Sequence, residues 1–267
     1  MRLFSLVIVS AWVLMALGAF FVGESANRID LNKLIATADM ASWLGYDELG
    51  RPLFERLLLG AKTSLFVALG VVVFSALIGT TIGIYSGFVG GWVDKSITKV
   101  IDIFLAFPGL LLAIGLAAVL GPGIENVIIA LVVVGWVGYA RLARAQTLSL
   151  RHREHIQAAR ALGVNQPIIL WRHVFPLILA PLGVEATFGF AGAVIAEAGL
   201  SFLGLGVQPP EASWGNMIRE GTRYLLVAPH LVIVPGLALM LVVLAINILG
   251  DRFRDSLDVR QQNPRHK

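Results

Sequence analysis

Charged residues in this chain are confined to short stretches between long apolar blocks. Leu3–Gly23, Thr63–Val93, Ile103–Ile124, Asn126–Ala140 and Tyr224–Gly250 contain no Asp, Glu, Lys or Arg, and His173–Ala196 contains only Glu185. A helix needs roughly 20 apolar residues to cross the hydrocarbon core of a bilayer. The blocks therefore predict six transmembrane helices at about 3–22, 64–86, 101–120, 124–143, 177–198 and 230–250. The fourth block is short, but it extends toward Arg141 and Arg144, whose long stems can reach the interface. Helix is the element that satisfies its own backbone in lipid, and barrel strands are only about 9–11 residues long. Gly79-Thr-Thr-Ile-Gly83 has the small-xxx-small spacing that lets helices approach closely. The first block is longer than a signal-peptide core, and Glu24 stands where cleavage after Ala26 would want a small residue, so an uncleaved span is expected.

Composition supports a membrane protein. Of 267 residues, 57% are hydrophobic and 14% charged, with a mean hydropathy of +0.80. Soluble domains carry roughly 45–50% apolar and about 25% charged residues. The absence of cysteine excludes a disulfide framework, a thiolate metal site and a cysteine nucleophile. The net charge of +4 is not a nucleic-acid signal, because the uncharged blocks are too long for a nucleic-acid domain. The basic residues instead act as topology signals. Fourteen Lys and Arg fall in the N-terminus, the 87–100 and 141–173 loops and the C-terminal tail, against seven in the 23–63 and 199–229 loops. The excess predicts the first set, including both termini, on the cytoplasmic side. One membrane domain, 1–267, accounts for the whole chain.

The loop between the fourth and fifth spans, about 150–173, reads as two short helices. Glu154–Leu162 is made of good helix formers, and Gly163 suits the left-handed position that ends a helix. Asn165 is placed to cap the next helix, with Pro167 in its first turn. Ala158, Ala159 and Ala161 permit close approach of another surface, and Gln157 and Arg160 offer polar contacts. An amphipathic helix lying on anionic headgroups fits the same composition.

Gln157-Ala-Ala-x-x-x-Gly163, nine residues, then His173-x-Phe175-Pro176 resembles the Glu-Ala-Ala loop of permease subunits of ATP-binding-cassette importers. Gln157 stands in place of the family Glu and Phe175 in place of Leu. Gly45-Tyr-Asp-Glu-Leu-Gly-Arg51, with Arg56-Leu and Gly60-Ala, is similar to the signature before span two of the dipeptide/oligopeptide/nickel permeases, with Tyr46 and Pro52 departing from the usual Thr and Asp. Glu197-Ala-Gly-Leu-Ser-Phe-Leu-Gly-Leu-Gly-Val-Gln-Pro-Pro210 and Ser213-Trp-Gly-Asn-Met-Ile218 resemble the same family's loop after span five. Asn247-x-x-Gly250-Asp251-x-x-Arg254-Asp255-x-Leu257-Asp258 resembles the end of its second, C-type permease. The likeness covers about residues 40–258.

The resemblance implies an all-α integral membrane fold in a bacterial or archaeal cytoplasmic membrane. Its implied partners are a homologous second permease, two ATPase subunits, an extracytoplasmic solute-binding protein and membrane lipid, with no nucleic acid. The coupling segment would be Gln157, Ala158, Ala159, Arg160 and Gly163, with Pro176 closing the motif. The cargo class implied is peptides, with nickel or another metal chelate as the alternative.

The residues also say what chemistry to expect. No Gly-x-x-x-x-Gly-Lys-Ser/Thr phosphate loop is present, so ATP and Mg belong on partner subunits and no cofactor is expected on this chain. An enzyme is not expected: Ser201 lies among glycines, but not in a Gly-x-Ser-x-Gly elbow. Glu185 and Glu197 lie within span five, where ionisable groups usually face the bundle interior or water. Glu185, Glu197 and Ser201 are candidates for a translocation path or gate, and the alternative is a structural role. Glu197 is expected to pair with an arginine or with backbone N–H groups of Leu200–Gly206. His152 and His155 lack the further ligands of a metal site. An ion-coupled secondary transporter is the rival class, and it would want more buried ionisable groups on broken helices. Aromatics near span ends, Trp12 among them, read as interfacial anchors. Trp214, in the outer loop, is a candidate contact for the binding protein.

Overall fold

A computed structural model describes residues 2–40 and 42–262. Helices α1 (Arg2–Gly18), α2 (Leu53–Val89), α3 (Gly91–Leu105), α4 (Gly109–Leu120) and α5 (Ile124–Leu150) are followed by the short α6 (Glu154–Ala161). One helical turn, α7 (Gln166–Ile168), runs through a π-helical stretch, Ile169–Val174, into α8 (Phe175–Phe202). Helices α9 (Trp214–Thr222) and α10 (His230–Gln262) complete the chain. Among the described residues there is no strand; Tyr46 and Pro52 form one isolated bridge.

Four units are long and apolar enough to cross a membrane: Leu53–Val89, Ile124–Leu150, Gln166–Phe202 and His230–Leu257. The α3–α4 pair is a fifth if the bent pair is one span, and α1 is a shorter apolar helix. The six apolar blocks map onto these six units. Within the four long spans only 28–39% of the most apolar window is buried, so most of their apolar surface faces outward, as lipid or a partner in lipid requires.

Several boundaries differ from the sequence expectation: α5 runs on to Leu150, the fifth unit begins at Gln166, α10 continues to Gln262, and two further differences change the architecture. The third span is not one helix over 101–120. It is two helices, α3 and α4, that meet at 85°. Pro108, at φ −60° and ψ 117°, caps α4 in an extended conformation, and its ring disfavours helix at the residue before it. The second span begins not near residue 64 but at Leu53, directly after Pro52. At 37 residues, α2 is about 55 Å long, well over the roughly 30 Å of the hydrocarbon core. A helix satisfies its own backbone in water as well as in lipid, so it does not stop where the apolar run stops.

The most extensive packing is between α2 and α5. A Cβ on Gly79 would overlap the Trp136 carbonyl, and one on Gly83 the Ala140 carbonyl. The small-xxx-small spacing therefore does bring two backbones into contact. The main apolar cluster includes Trp12, Leu57, Val67, Val127, Leu131, Val194, Leu200, Trp214 and Val242. A second gathers Ile84, Phe88, Tyr139 and Leu150 with Ile156, Ile169, Val174 and Ile178. A third, Ile101 with Val137 and Ala140, holds α3 on α5.

Candidate functional site

The loop after α5 folds back beneath the bundle because α6 is amphipathic over a single turn. Ile156 and Ala159, three residues apart, are buried in the second cluster against Ile84 and Phe88 of α2. Gln157, Ala158, Arg160 and Gly163 are exposed. Ala159 thus faces its own bundle, whereas its neighbours form an outward knuckle. The Gln157 amide donates to the His152 carbonyl at 3.1 Å. The Arg160 guanidinium lies 4.3 Å from the centre of the Phe88 ring.

Gly163 ends α6 with φ of +79°. Its N–H donates to Arg160 O at 3.0 Å, and Val164 N–H donates to Ala159 O at 3.1 Å. This pair of bonds closes the last helical turn and reverses the chain. Asn165 does not cap the next helix with its side chain, although Pro167 does occupy the first turn. Pro176 has no N–H to return to Arg172, and Phe175 N–H donates to Leu170 O, five residues back. The loop therefore enters α8 through a widened turn. A cleft of about 390 Å³ between Phe88, Val89, Arg160, Val164, Gln166 and Ile169 lies beside the knuckle.

Ion pairs that the sequence reading did not foresee tie this region to the α2–α3 elbow. Arg144 makes a two-pronged ion pair with Asp94, Nε to Oδ1 at 2.5 Å and Nη2 to Oδ2 at 2.7 Å. Ser86 donates to Asp94 Oδ1 at 2.7 Å, and Arg151 donates to the Gly87 carbonyl at 3.1 Å.

Within α8 the two glutamates differ. Glu197 is fully buried and pairs neither with an arginine nor with the Leu200–Gly206 backbone. Its carboxylate accepts from Ser64 Oγ of α2 and Ser201 Oγ of α8, both at 2.8 Å. Ser213 Oγ accepts from Asn216 N–H, capping α9. Hydroxyl donors, and no cation, satisfy this buried group. Glu197 and Ser201 are both enclosed, with no exposed surface. Glu185 is half-buried, and a Cβ on Gly138 would lie 2.9 Å from its Oε1. Gly189, Gly192 and Ala196 follow Glu185 on the same stripe of α8 and line a cavity of about 280 Å³ shared with α4 and α5.

On the opposite side of the bundle, Trp214 is fully buried rather than offered to a docking protein. Its indole N–H donates to Leu57 O at 3.0 Å, and its ring packs on Gly60. Trp12 packs against it with ring centres 6.2 Å apart, so it is a core residue and not an interfacial anchor. Beside them lies an ion cluster that the sequence reading passed over, although its Gly45–Arg51 signature was visible. Asp47 Oδ2 meets Arg51 Nε at 2.6 Å and Arg56 Nε at 3.2 Å. Glu220 of α9 reaches Arg51 at 3.4 Å and Arg56 at 3.7 Å, and Glu48 reaches Arg51 at 3.1 Å. Gly50, at φ +72°, makes the turn, where a Cβ would overlap the Asp30 carbonyl. Burial, and then the neighbouring Asp47, push the Glu48 carboxyl above its ordinary value. Among the described residues no group of three or more His, Cys, Asp or Glu is placed to hold a metal.

Residues 79–263 match the family model of the binding-protein-dependent transport system inner membrane component. The glutathione transport system permease protein GsiD of Pectobacterium atrosepticum is 41% identical over 235 residues, covering 88% of this chain and 78% of that protein. The dipeptide transport system permease protein DppC of Alkalihalophilus pseudofirmus is 38% identical over 259 residues, covering 97% and 85%. Two inward-facing crystal forms of the MetNI methionine ABC transporter share the fold, with TM-scores of 0.61 and 0.62 at 20% identity, over 76% of this chain and 97% of theirs. This is a multi-pass membrane permease of an ATP-binding-cassette importer. It is not an enzyme, and ATP hydrolysis resides in a separate subunit. A bundle of this fold, with a family match over most of its length, belongs to the inner membrane components of binding-protein-dependent transport systems.

Proposed function

We propose that this chain, as one membrane domain, is half of a peptide importer's pore, and that its cargo is a small peptide of dipeptide to tripeptide size. The relatives named for dipeptide and glutathione transport support that size class. The observation that carries the reading is the knuckle of α6. Two of its residues are anchored in the bundle, and Gln157, Ala158, Arg160 and Gly163 are turned outward. A partner ATPase that binds ATP and Mg takes this knuckle in a cleft, and closure of the ATPase pair tilts the helices between two discrete packings. Gln157 meets it as a neutral hydrogen-bonding group. The loops rich in Lys and Arg, with both termini, lie in the cytoplasm.

Opposite a homologous second permease, the stripe Glu185–Gly189–Gly192–Ala196 and its cavity line the path. Glu197 and Ser201 stiffen the path from behind. On the outer side the binding protein meets the exposed turn 208–211, and Trp214 holds α9 in place beneath it. The test is uptake of a labelled dipeptide into proteoliposomes. This chain with a second permease, ATPases and binding protein should accumulate it only with ATP. Accumulation by this chain alone under a proton or sodium gradient would identify an ion-coupled secondary transporter instead.

A further inference from the structure

Three arginines from one continuous segment, the end of α5 through α6, reach the same short elbow between α2 and α3. Arg160 covers Phe88, Arg151 holds the Gly87 carbonyl, and Arg144 forks onto Asp94, which Ser86 also holds. The three anchor points lie within residues 87–94. The chain itself transmits little there, because Gly90 and Gly91 form the link and both have positive φ. Beyond the elbow, α3 is lightly packed, and Ile101 is its one fully buried residue. Such a helix shifts at low cost. Its far end meets the 85° break, and α4 beyond the break walls the cavity with Gly109, Leu110 and Ala113.

We propose that Asp94 is a positioning residue for coupling. Through its fork with Arg144, the α2–α3 elbow moves as one body with the coupling helix, and α3 carries that motion past the break to α4. Transmission to the cavity wall then runs through side chains pinned across helices, not only along the chain from α6 into α8. This rests on the transport function proposed above and names the residues that deliver the stroke. A bidentate arginine–carboxylate pair suits the task because it fixes orientation as well as distance.

The experiment uses the complete importer in proteoliposomes, with ATP hydrolysis and dipeptide uptake measured together per membrane-inserted chain. For Asp94→Ala, uptake should fall roughly tenfold while hydrolysis stays within about threefold, the size expected of a lost coupling free energy. The chain has no cysteine, so Asp94→Cys with Arg144→Cys gives it a single reactive pair. Bridging that pair with a short bis-maleimide should restore uptake relative to the unbridged protein. An unchanged number of ATP molecules per dipeptide in Asp94→Ala would overturn the proposal. So would a bridge that fails to restore uptake or blocks it. The two failures separate: an unaltered importer with no ATP-driven uptake counts against the transport function, whereas a working importer indifferent to Asp94 counts against this joint alone.

Discussion

Replacing Glu197 by alanine removes the acceptor shared by two serine hydroxyls, Ser64 of α2 and Ser201 of α8. The site is fully buried, so water does not replace what is lost. A hydrogen bond to a charged group contributes about 1.5–3 kcal/mol, and a buried hydroxyl left without a partner costs about 1–3 kcal/mol. Ser64→Ala deletes one donor and should cost about 1.5–3 kcal/mol, or roughly 3–12 °C in melting temperature. Glu197→Ala orphans both hydroxyls and leaves a void, and should cost on the order of 3–6 kcal/mol even after the hydroxyls turn to other partners. Glu197→Gln keeps the shape and one acceptor oxygen, so it should fall between the two. The assay is thermal unfolding of detergent-solubilised protein, followed by tryptophan fluorescence, since Trp214 caps the same region. The reasoning fails if Glu197→Ala melts no lower than Ser64→Ala, or if Glu197→Gln is the worst of the three.

Gly163→Leu should insert normally but uncouple ATP hydrolysis from uptake. A Cβ there meets open space, so the damage is the cost of the left-handed conformation, roughly 1–2 kcal/mol. Gly163→Asn, which tolerates that conformation, should retain more uptake in the same assay. Gly83→Leu should reduce the amount of folded protein recovered from membranes, because its side chain collides with the Ala140 backbone, whereas Gly115→Ala should be silent. Glu48 supplies a pH dependence. Its folded value is raised above the ordinary 4.5, so its contribution is fully present below that value and is lost as pH rises through the folded one. Melting temperature should therefore decline over that window in the wild type and less so in Glu48→Gln; identical slopes would contradict the assignment.

The bundle was legible because transmembrane helices write themselves as runs of uncharged residues, and every run is helical, the third as a broken pair. The knuckle was legible as well, because Gly163 must take a conformation that few other residues adopt. Helix ends were not. Pro52 and Pro108 set two of them locally, and a hydropathy run cannot show an 85° turn made by a single ring. Ion pairs were the least visible. Asp94 and Arg144 are fifty residues apart, and nothing in either neighbourhood announces the other. Arg51 and Glu220 are 169 apart. Charges at span ends look alike as topology signals, so which of them meet is decided only when α2, α3, α5 and α9 pack. Glu197 shows the same limit: serine hydroxyls from two helices supplied what an arginine or the Leu200–Gly206 backbone was expected to supply.

The length of α2 has a mechanical consequence. One rod, wedged by its glycines against α5, carries Arg56 of the ion cluster near one end and Gly87 beneath the coupling helix near the other. Its closest glycine contacts, Gly79 and Gly83, lie in its last third, about 40 Å from Leu53 and about 9 Å from Gly87, so a tilt of 10° about them would swing the Leu53 end by about 7 Å and the Gly87 end by less than about 2 Å. One stiff beam thus runs from the ion cluster to the coupling helix, pivoted off centre, so a wide swing at the first would reach the second as a short, forceful one.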